Sequence, residues 1–445
     1  MGTVWQTYRP TVLDLFCGAG GIALGFRQAG YRIVAGTDLQ NVACQTFQHN
    51  MPEARTTARD IRKLNGEAIE ALVGTGVDVV VGGPSCQGFS TSGGLSRQDG
   101  RDVDDPRNRM VLDYLRVVDA VRPSWVVFEN VPGLLLYHQG RVAIEIAKAF
   151  KEIGYTVLPM ILLAADYGVP QLRRRLVFVG NRTGAPAVFP QPTHGDPELW
   201  ANYSLPFAHL SRIGHGKSNG VFPHVTFEEA CGDLPPVREG ETIDKTCYGT
   251  EPRTEYQREM RGDGEMLHQH IAFELCDADR FAACTLKPGQ NWRDMPPDVL
   301  PPRFKKIRRY DATTLMKRLN ANRPAYTITT KFNEATTGAF IHPSQPRTLS
   351  VREAARLQSF PDEFVFCGSP VQIRRQIGNA VPPLMAKAVA EAMLPYVVKD
   401  VARLTVEPVR DVVEVGAGGA DFLKLHGARK KPRAAGGGQA EERSL

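Results

Sequence analysis

The sequence predicts an α/β protein: a doubly wound, mostly parallel sheet of Rossmann-like type, with a smaller irregular domain inserted late in the chain. Three observations predict it. Short β-rich runs alternate with amphipathic segments as far as Gly180, the pattern of parallel strands with crossover helices. Runs such as Val77-Asp78-Val79-Val80-Val81 are almost continuously apolar, as befits strands covered on both faces. From Asn181 to about Arg323 the chain becomes rich in Pro, Gly, His and Arg and loses its period.

Taken in order, residues 12–16, 32–37, 77–81, 125–128, 157–163 and 176–179 read as strands, and residues 21–28, 42–50, 110–121 and 142–153 as helices between them. Segments such as His194-Gly195-Asp196-Pro197 read as loops. Regular structure returns at residues 349–359, a helix capped at Ser350 with Glu353 at the capping-box spacing. Pro382-Pro383 opens a final helix that runs through Tyr396. The end of the chain, with Ala428-Arg429-Lys430-Lys431-Pro432-Arg433 and Gly436-Gly437-Gly438, has the composition of a disordered tail. The division that follows is a large domain of residues 1–185 completed by 374–405, a small domain of 186–373 and a tail of 406–445. There are no internal repeats.

The chain has 445 residues, more than one hydrophobic core usually serves. It is 42% hydrophobic and 23% charged, as expected of a soluble protein. No apolar run reaches the length of a bilayer span, and the start of the sequence lacks a signal-peptide pattern. Eight cysteines are scattered without C-x-x-C spacing, which argues against zinc and a secreted disulfide scaffold and suits a reducing cytoplasm. A net charge of +6 permits a polyanionic partner without demonstrating one.

The first strand ends in Asp14-Leu15-Phe16-Cys17-Gly18-Ala19-Gly20-Gly21, where a helix begins. Glycines there let a ligand lie against bare backbone at a helix N-terminus. Asp38, followed by Leu39, closes the second strand where a carboxylate can accept from two ribose hydroxyls. Asp60-Ile61 could meet an adenine, the carboxylate at its amine and the isoleucine on its face. The loop with Asp38 nearly fits a dinucleotide fingerprint, which keeps an NAD-linked oxidoreductase open. Asp14 opposes it, because a carboxylate there repels a pyrophosphate and suits the ammonium and sulfonium of S-adenosylmethionine.

Two further strand ends carry chemistry. Residues 77–81 empty into Gly82-Gly83-Pro84-Ser85-Cys86-Gln87-Gly88-Phe89-Ser90, a way of presenting a thiol nucleophile, although a buried free cysteine is the commoner use. Trp125-Val126-Val127-Phe128 delivers Glu129-Asn130-Val131. In a doubly wound sheet these ends share one edge, where ligands bind. In Gln171-Leu172-Arg173-Arg174-Arg175, alternation puts Arg173 and Arg175 on one face, able to hold an anion or a planar carbonyl.

Together these motifs resemble the C5-cytosine DNA methyltransferases of bacterial type. The likeness runs in order through DLFCGAGG, Asp38, Asp60-Ile61, GGPSCQGFS, Glu129-Asn130-Val131, Gln171-x-Arg173-x-Arg175, Arg323-Pro324-Ala325-Tyr326-Thr327-Ile328-Thr329 and Gln376-Ile377-Gly378-Asn379-Ala380-Val381-Pro382-Pro383. Ser85 departs from the proline common before the thiol. The resemblance implies an S-adenosylmethionine-dependent methyltransferase fold and transfer of methyl to carbon 5 of a cytosine flipped out of double-stranded DNA. It assigns Cys86 as nucleophile to carbon 6, Glu129 to N3, and Arg175 with Arg173 to the base carbonyl. Asp14, Phe16, Gly18, Ala19, Gly20, Gly21, Asp38, Leu39, Asp60 and Ile61 are assigned to the cofactor, joined by Asn379 and Ala380 from the C-terminal end.

In the small domain, Arg253, Arg258, Arg261, Arg293, Arg303, Lys305, Lys306, Arg308 and Arg309 are candidates for DNA contact. A monomer with no metal and no membrane contact, cytoplasmic and associated with the nucleoid, is expected; the sequence leaves open whether it is solitary or has a cognate restriction endonuclease acting separately. The Cys-Phe-Thr tripeptide of the tRNA-directed relatives is missing from the sequence, which favours DNA over tRNA.

Overall fold

A computed structural model describes residues 8–74, 76–84, 110–136, 140–195, 221–308 and 312–401. Seven strands form one sheet: β1 (Thr11–Leu15), β2 (Arg32–Asp38), β3 (Arg55–Ala58), β4 (Val79–Gly82), β5 (Trp125–Asn130), β6 (Thr156–Leu163) and, after the two-residue β7 (Gln171–Leu172), β8 (Arg174–Asn181). Their order is β3-β2-β1-β4-β5-β8-β6. Only β8 runs against its neighbours β5 and β6; the other pairings are parallel. Strand order reverses between β1 and β4, the switch point at which open α/β sheets bind ligands.

The apolar runs became strands as predicted, with two additions. β3 is the short edge strand Arg-Thr-Thr-Ala, nowhere fully buried, so it carries no apolar run to read. The helix Gly66–Val73 follows it, capped by the Asn65 side chain. The direction of β8 was equally hidden, because a strand covered on both faces looks the same in either sense.

Alternation divides the sheet's side chains between two clusters. Val12, Val79, Val81, Trp125, Val127, Val177 and Val179 face the helix α1 (Gly21–Gln28) and the final helix, Pro383–Val401. Leu13, Leu15, Val80, Val126, Phe128 and Phe178 face the helices Met110–Val121 and Arg141–Glu152. The fit of α1 onto the C-terminal segment depends on two glycines. A Cβ at Gly21 would lie 2.2 Å from the Val381 carbonyl oxygen, and one at Gly25 2.4 Å from that of Pro383.

The C-terminal end corrects the reading that no apolar stretch reaches membrane length. Among the described residues, 370–400 is long and apolar enough by length and composition. It is two helices, Pro370–Asn379 and Pro383–Val401. Met385, Val389, Ala390, Met393 and Val397 are buried in the core beside the sheet, so their apolarity is accounted for by packing.

The region read as irregular holds an antiparallel ribbon, Thr242–Cys247 with Met266–Ile271, and the helices Phe227–Cys231, Glu255–Arg261, Asp277–Thr285 and Val351–Leu357. The capping box at Ser350 and Glu353 forms as predicted, Ser350 N–H donating to Glu353 Oε2 at 2.8 Å. Phe227, Tyr256, Met260, Ile271 and Leu357 belong to the same apolar cluster as one face of the sheet. The core therefore continues across the boundary predicted between the two domains.

Candidate active site

The glycine loop leaves β1 through a tight turn. Phe16, Gly18 and Gly20 have φ of 59°, 53° and 97°, a region a non-glycine residue enters only at some cost. A Cβ on Gly20 would also meet the Phe47 ring at 2.9 Å. The turn aims the Gly18 N–H at Asp38 Oδ2 (3.0 Å), while Gln40 N–H donates to Oδ1 (2.8 Å). Burial pushes the Asp38 carboxyl up, opposed by the N–H groups of Gln40, Gly18 and Leu39. Beside it, Leu39 is 65% exposed, a large apolar side chain held in the open next to a carboxylate.

Asp14 is wholly buried on β1, between Gly36 of β2 and Val81 of β4. Among the described residues, neither of its oxygens has a hydrogen-bond partner at full geometry. Asp60 is placed differently. It caps the short turn Ile61–Lys63 and holds Arg62 in an ion pair at 2.5 Å, which keeps its carboxyl below the usual range. Ile61 is buried with the apolar cluster on the other face of the sheet, against which Phe16 also packs. Ala19 is buried in the core, and Gly21 serves the packing against Val381.

β4 and β5 run side by side and deliver the second group of residues. Gly82 pairs with Phe128, which brings Gly83 against Glu129; a Cβ on Gly83 would lie 2.7 Å from Glu129 Oε2. Asn130 Nδ2 donates to the Pro84 carbonyl at 3.2 Å, and its Oδ1 accepts from Val131 N–H. The root of the Cys86 loop is thus tied to the strand that carries Glu129. Cys86 itself, with Ser85, lies outside the described residues.

Glu129 Oε1 meets Arg175 Nε at 2.7 Å, each side chain 13% exposed. Burial raises the Glu129 carboxyl; Arg175 and then Arg173 oppose the shift. Parity puts Asp14, Glu129 and Arg175 on one face of the sheet.

The two arginines that alternation paired do different things. Arg173 is fully buried, and it donates to the carbonyls of Ile328 (2.8 Å), Gly378 (3.1 Å) and Ala380 (2.9 Å). It fastens the C-terminal segment to the strand, with both terminal nitrogens engaged by those carbonyls. Gln171 works beside it, donating to the Leu357 carbonyl and the Gln358 side chain and accepting from Ile328 N–H. Ala380 is held here by its carbonyl, while Asn379 is exposed at the helix end. Sequence reasoning missed the roles of Asn130 and Gly83. The signal available was position alone: each lies next to a predicted functional residue at a strand end.

Among the nine cationic candidates for DNA contact, Arg253, Arg258, Arg303, Lys306 and Arg308 are exposed and Arg293 is half-buried. Arg261 is not available: it is buried, with Nη2 2.6 Å from Asp233 Oδ2. The Lys305 side chain and Arg309 lie outside the described residues. No group of three or more potential metal ligands occurs among the described residues.

A buried carboxylate without partners suits a cation, and a carboxylate braced by backbone N–H groups next to an exposed apolar side chain suits an adenosine. The residues at β1 and β2 therefore fit S-adenosylmethionine, and the sheet order with this rim defines an S-adenosylmethionine-dependent methyltransferase fold. A model of the C-5 cytosine-specific DNA methylase family matches residues 10–395, and the chain belongs to that family. It is 32% identical over 385 residues to the Type II methyltransferase M1.HphI of Haemophilus parahaemolyticus, covering 86% of each chain. It is 35% identical over 407 residues to the Type II methyltransferase M.XorII of Xanthomonas oryzae, covering 86% of this chain and 84% of that one. A solved Escherichia coli prophage protein described as a DNA modification methyltransferase superposes with a TM-score of 0.63 at 23% identity, over 87% of this chain and 99% of that one. The protein is a DNA (cytosine-5) methyltransferase, and its methyl donor is S-adenosylmethionine.

Proposed function

We propose that the enzyme methylates carbon 5 of a cytosine extruded from a specific duplex DNA sequence, by way of a covalent bond between Cys86 Sγ and carbon 6 of the base. The observation that carries this reading is the Glu129–Arg175 pair at the strand end, 2.7 Å apart, with the root of the Cys86 loop hydrogen-bonded to the adjoining Asn130.

Carbon 5 of cytosine is a weak nucleophile. Addition of a thiolate to carbon 6 makes it enamine-like, and its electron pair can then displace a methyl group from a sulfonium. The cofactor supplies that methyl. Glu129, a carboxyl already raised toward its protonated form, holds N3 and shares a proton with it as negative charge builds in the ring. Arg175 orients Glu129 and meets the base carbonyl. Loss of the carbon-5 proton to a base expels the thiolate and restores the ring.

The base must leave the stack, at a cost of a few kcal/mol. Residues 186–373 read the flanking sequence, with Arg253, Arg258, Arg303, Lys306 and Arg308 on phosphates or guanines, while 1–185 and 374–405 bind cofactor and target base. Asp38, Leu39 and the Gly18–Gly20 turn hold the adenosine. Asp60, Ile61 and Asn379 line the same rim. The enzyme acts as a monomer in the bacterial cytoplasm at the nucleoid.

Incubation with cofactor and duplexes carrying 5-fluorocytosine tests the mechanism. A protein–DNA adduct stable to denaturation, lost in Cys86→Ala, is the expected result. Bisulfite sequencing of DNA from expressing cells reads base and context together. Methylation undiminished in Cys86→Ala would overturn the covalent step.

A further inference from the structure

We propose that Asp14 carries a proton in the cofactor-free enzyme and releases it when the cationic cofactor binds, so that cofactor affinity is coupled to pH. This rests on the cofactor reading above and goes beyond it.

Asp14 is 0% exposed, and among the described residues neither carboxylate oxygen has a hydrogen-bond partner at full geometry. Its surroundings supply no counter-charge among the described residues. From α1, the Ala23 N–H favours its ionised form, and Arg27 is engaged with the Asn50 carbonyl and Glu53. The end of β2 brings Asp38, a charge of the same sign. The loop brings Cys17, whose buried thiol is pushed up. Asp78, just before β4, is occupied by Thr11 and Tyr8. On the helix Met110–Val121, the Tyr114 hydroxyl is committed to the carbonyls of Val80 and Val127. Lys387 of the final helix lies 3.9 Å from Glu391.

A carboxylate with no cation beside it is too costly to keep ionised in an interior, so it binds a proton. Burial first, then Asp38, pushes its proton affinity well up, with the Ala23 N–H opposing. S-adenosylmethionine carries a sulfonium and an α-ammonium. Either centre, set beside Asp14, supplies the missing counter-charge, and the carboxylic acid becomes a carboxylate as its proton passes to solvent. Where release is complete, each unit fall in pH weakens cofactor binding about tenfold.

Calorimetric titration of the full chain with S-adenosylmethionine, at one pH in two buffers of different ionisation heat, counts the protons directly. The expected result is about one proton released per cofactor bound, and none with 5′-methylthioadenosine, which keeps the adenosine and lacks both charges. Asp14→Asn should bind the cofactor without proton release; if that variant does not fold, the two ligands on the native chain still decide. Buffer-independent heats for S-adenosylmethionine between about pH 5.5 and 8.5 overturn the proposal. So does equal release with 5′-methylthioadenosine or in Asp14→Asn, which would point to Asp38. Failure to bind S-adenosylmethionine at all would instead overturn the placement of the cofactor.

Discussion

Buried carboxylates are treated in opposite ways at the sheet's rim and around the helix Val351–Leu357. At the rim, burial raises Asp14, Asp38 and Glu129, and Asp14 has no counter-charge among the described residues. Around the helix, burial would raise Glu353 and Asp362 as well, but arginines reverse the sign. Arg347 and His342 hold Glu353 well below the usual range, and Arg356 and Arg352 lower Asp362. The geometry there is closed. Arg356 bridges Asp233 and Asp362 at 2.5 Å each, with all three side chains at most 1% exposed. Arg347 makes a two-pronged pair with Glu353 (2.7 and 2.6 Å), and the Tyr248 hydroxyl donates to Asp362 at 2.6 Å. A network satisfied from within is spent on structure, whereas a carboxylate left without a counter-charge, as Asp14 is among the described residues, retains capacity for a ligand.

The largest test breaks the closed region. Arg356→Met removes the cation shared by two buried carboxylates, leaving Asp233 to Arg261 and Asp362 to Tyr248 and Arg352, and should cost about 3–5 kcal/mol of unfolding free energy, read by denaturant titration. A loss under about 1 kcal/mol would show the network to be slack. Gly83→Ala sharpens the other side. The added methyl presses on a carboxylate already pinned by Arg175, so turnover should fall about 100-fold while stability changes by less than about 1 kcal/mol. Leu39→Ala should leave stability alone and weaken the cofactor about fivefold, from roughly 1 kcal/mol of lost apolar cover.

The smallest effect is in stability against pH, and its sign differs between the regions. Glu353 and Asp362, depressed in the folded state, contribute stability above the ordinary carboxylate range that is lost as pH falls below about 4. Asp14 is raised, so its contribution is intact below that range and lost as pH rises. Asp14→Asn should therefore unfold at higher denaturant than the native chain near pH 8, the gap closing toward about pH 3. A constant gap would remove the distinction.

The rim was the more legible region. Glycines before a helix, a carboxylate at the end of the second strand and Glu129 after four apolar residues are local patterns, and strand ends in a doubly wound sheet converge. The insert was not legible, because its order depends on partners far apart in the chain. Arg261 read as a DNA contact and is a ligand to Asp233. Glu353 read as a cap, which it is, but it also anchors Arg347. Likewise Arg173 and Arg175 share a face and are alike in sequence. Their difference lies in what the C-terminal segment presents to one of them: the carbonyls of Gly378 and Ala380.

The sequence by itself determined the alternation of strands and helices, the order of the chemical groups along the chain, and the edge of the sheet where they meet, since each follows from periodicity and from residues adjacent in the chain. Tertiary structure alone decided which buried charges are neutralised and which are left waiting. That depends on whether a distant segment places an arginine or a carbonyl within about 3 Å, a distance that no spacing along the chain encodes.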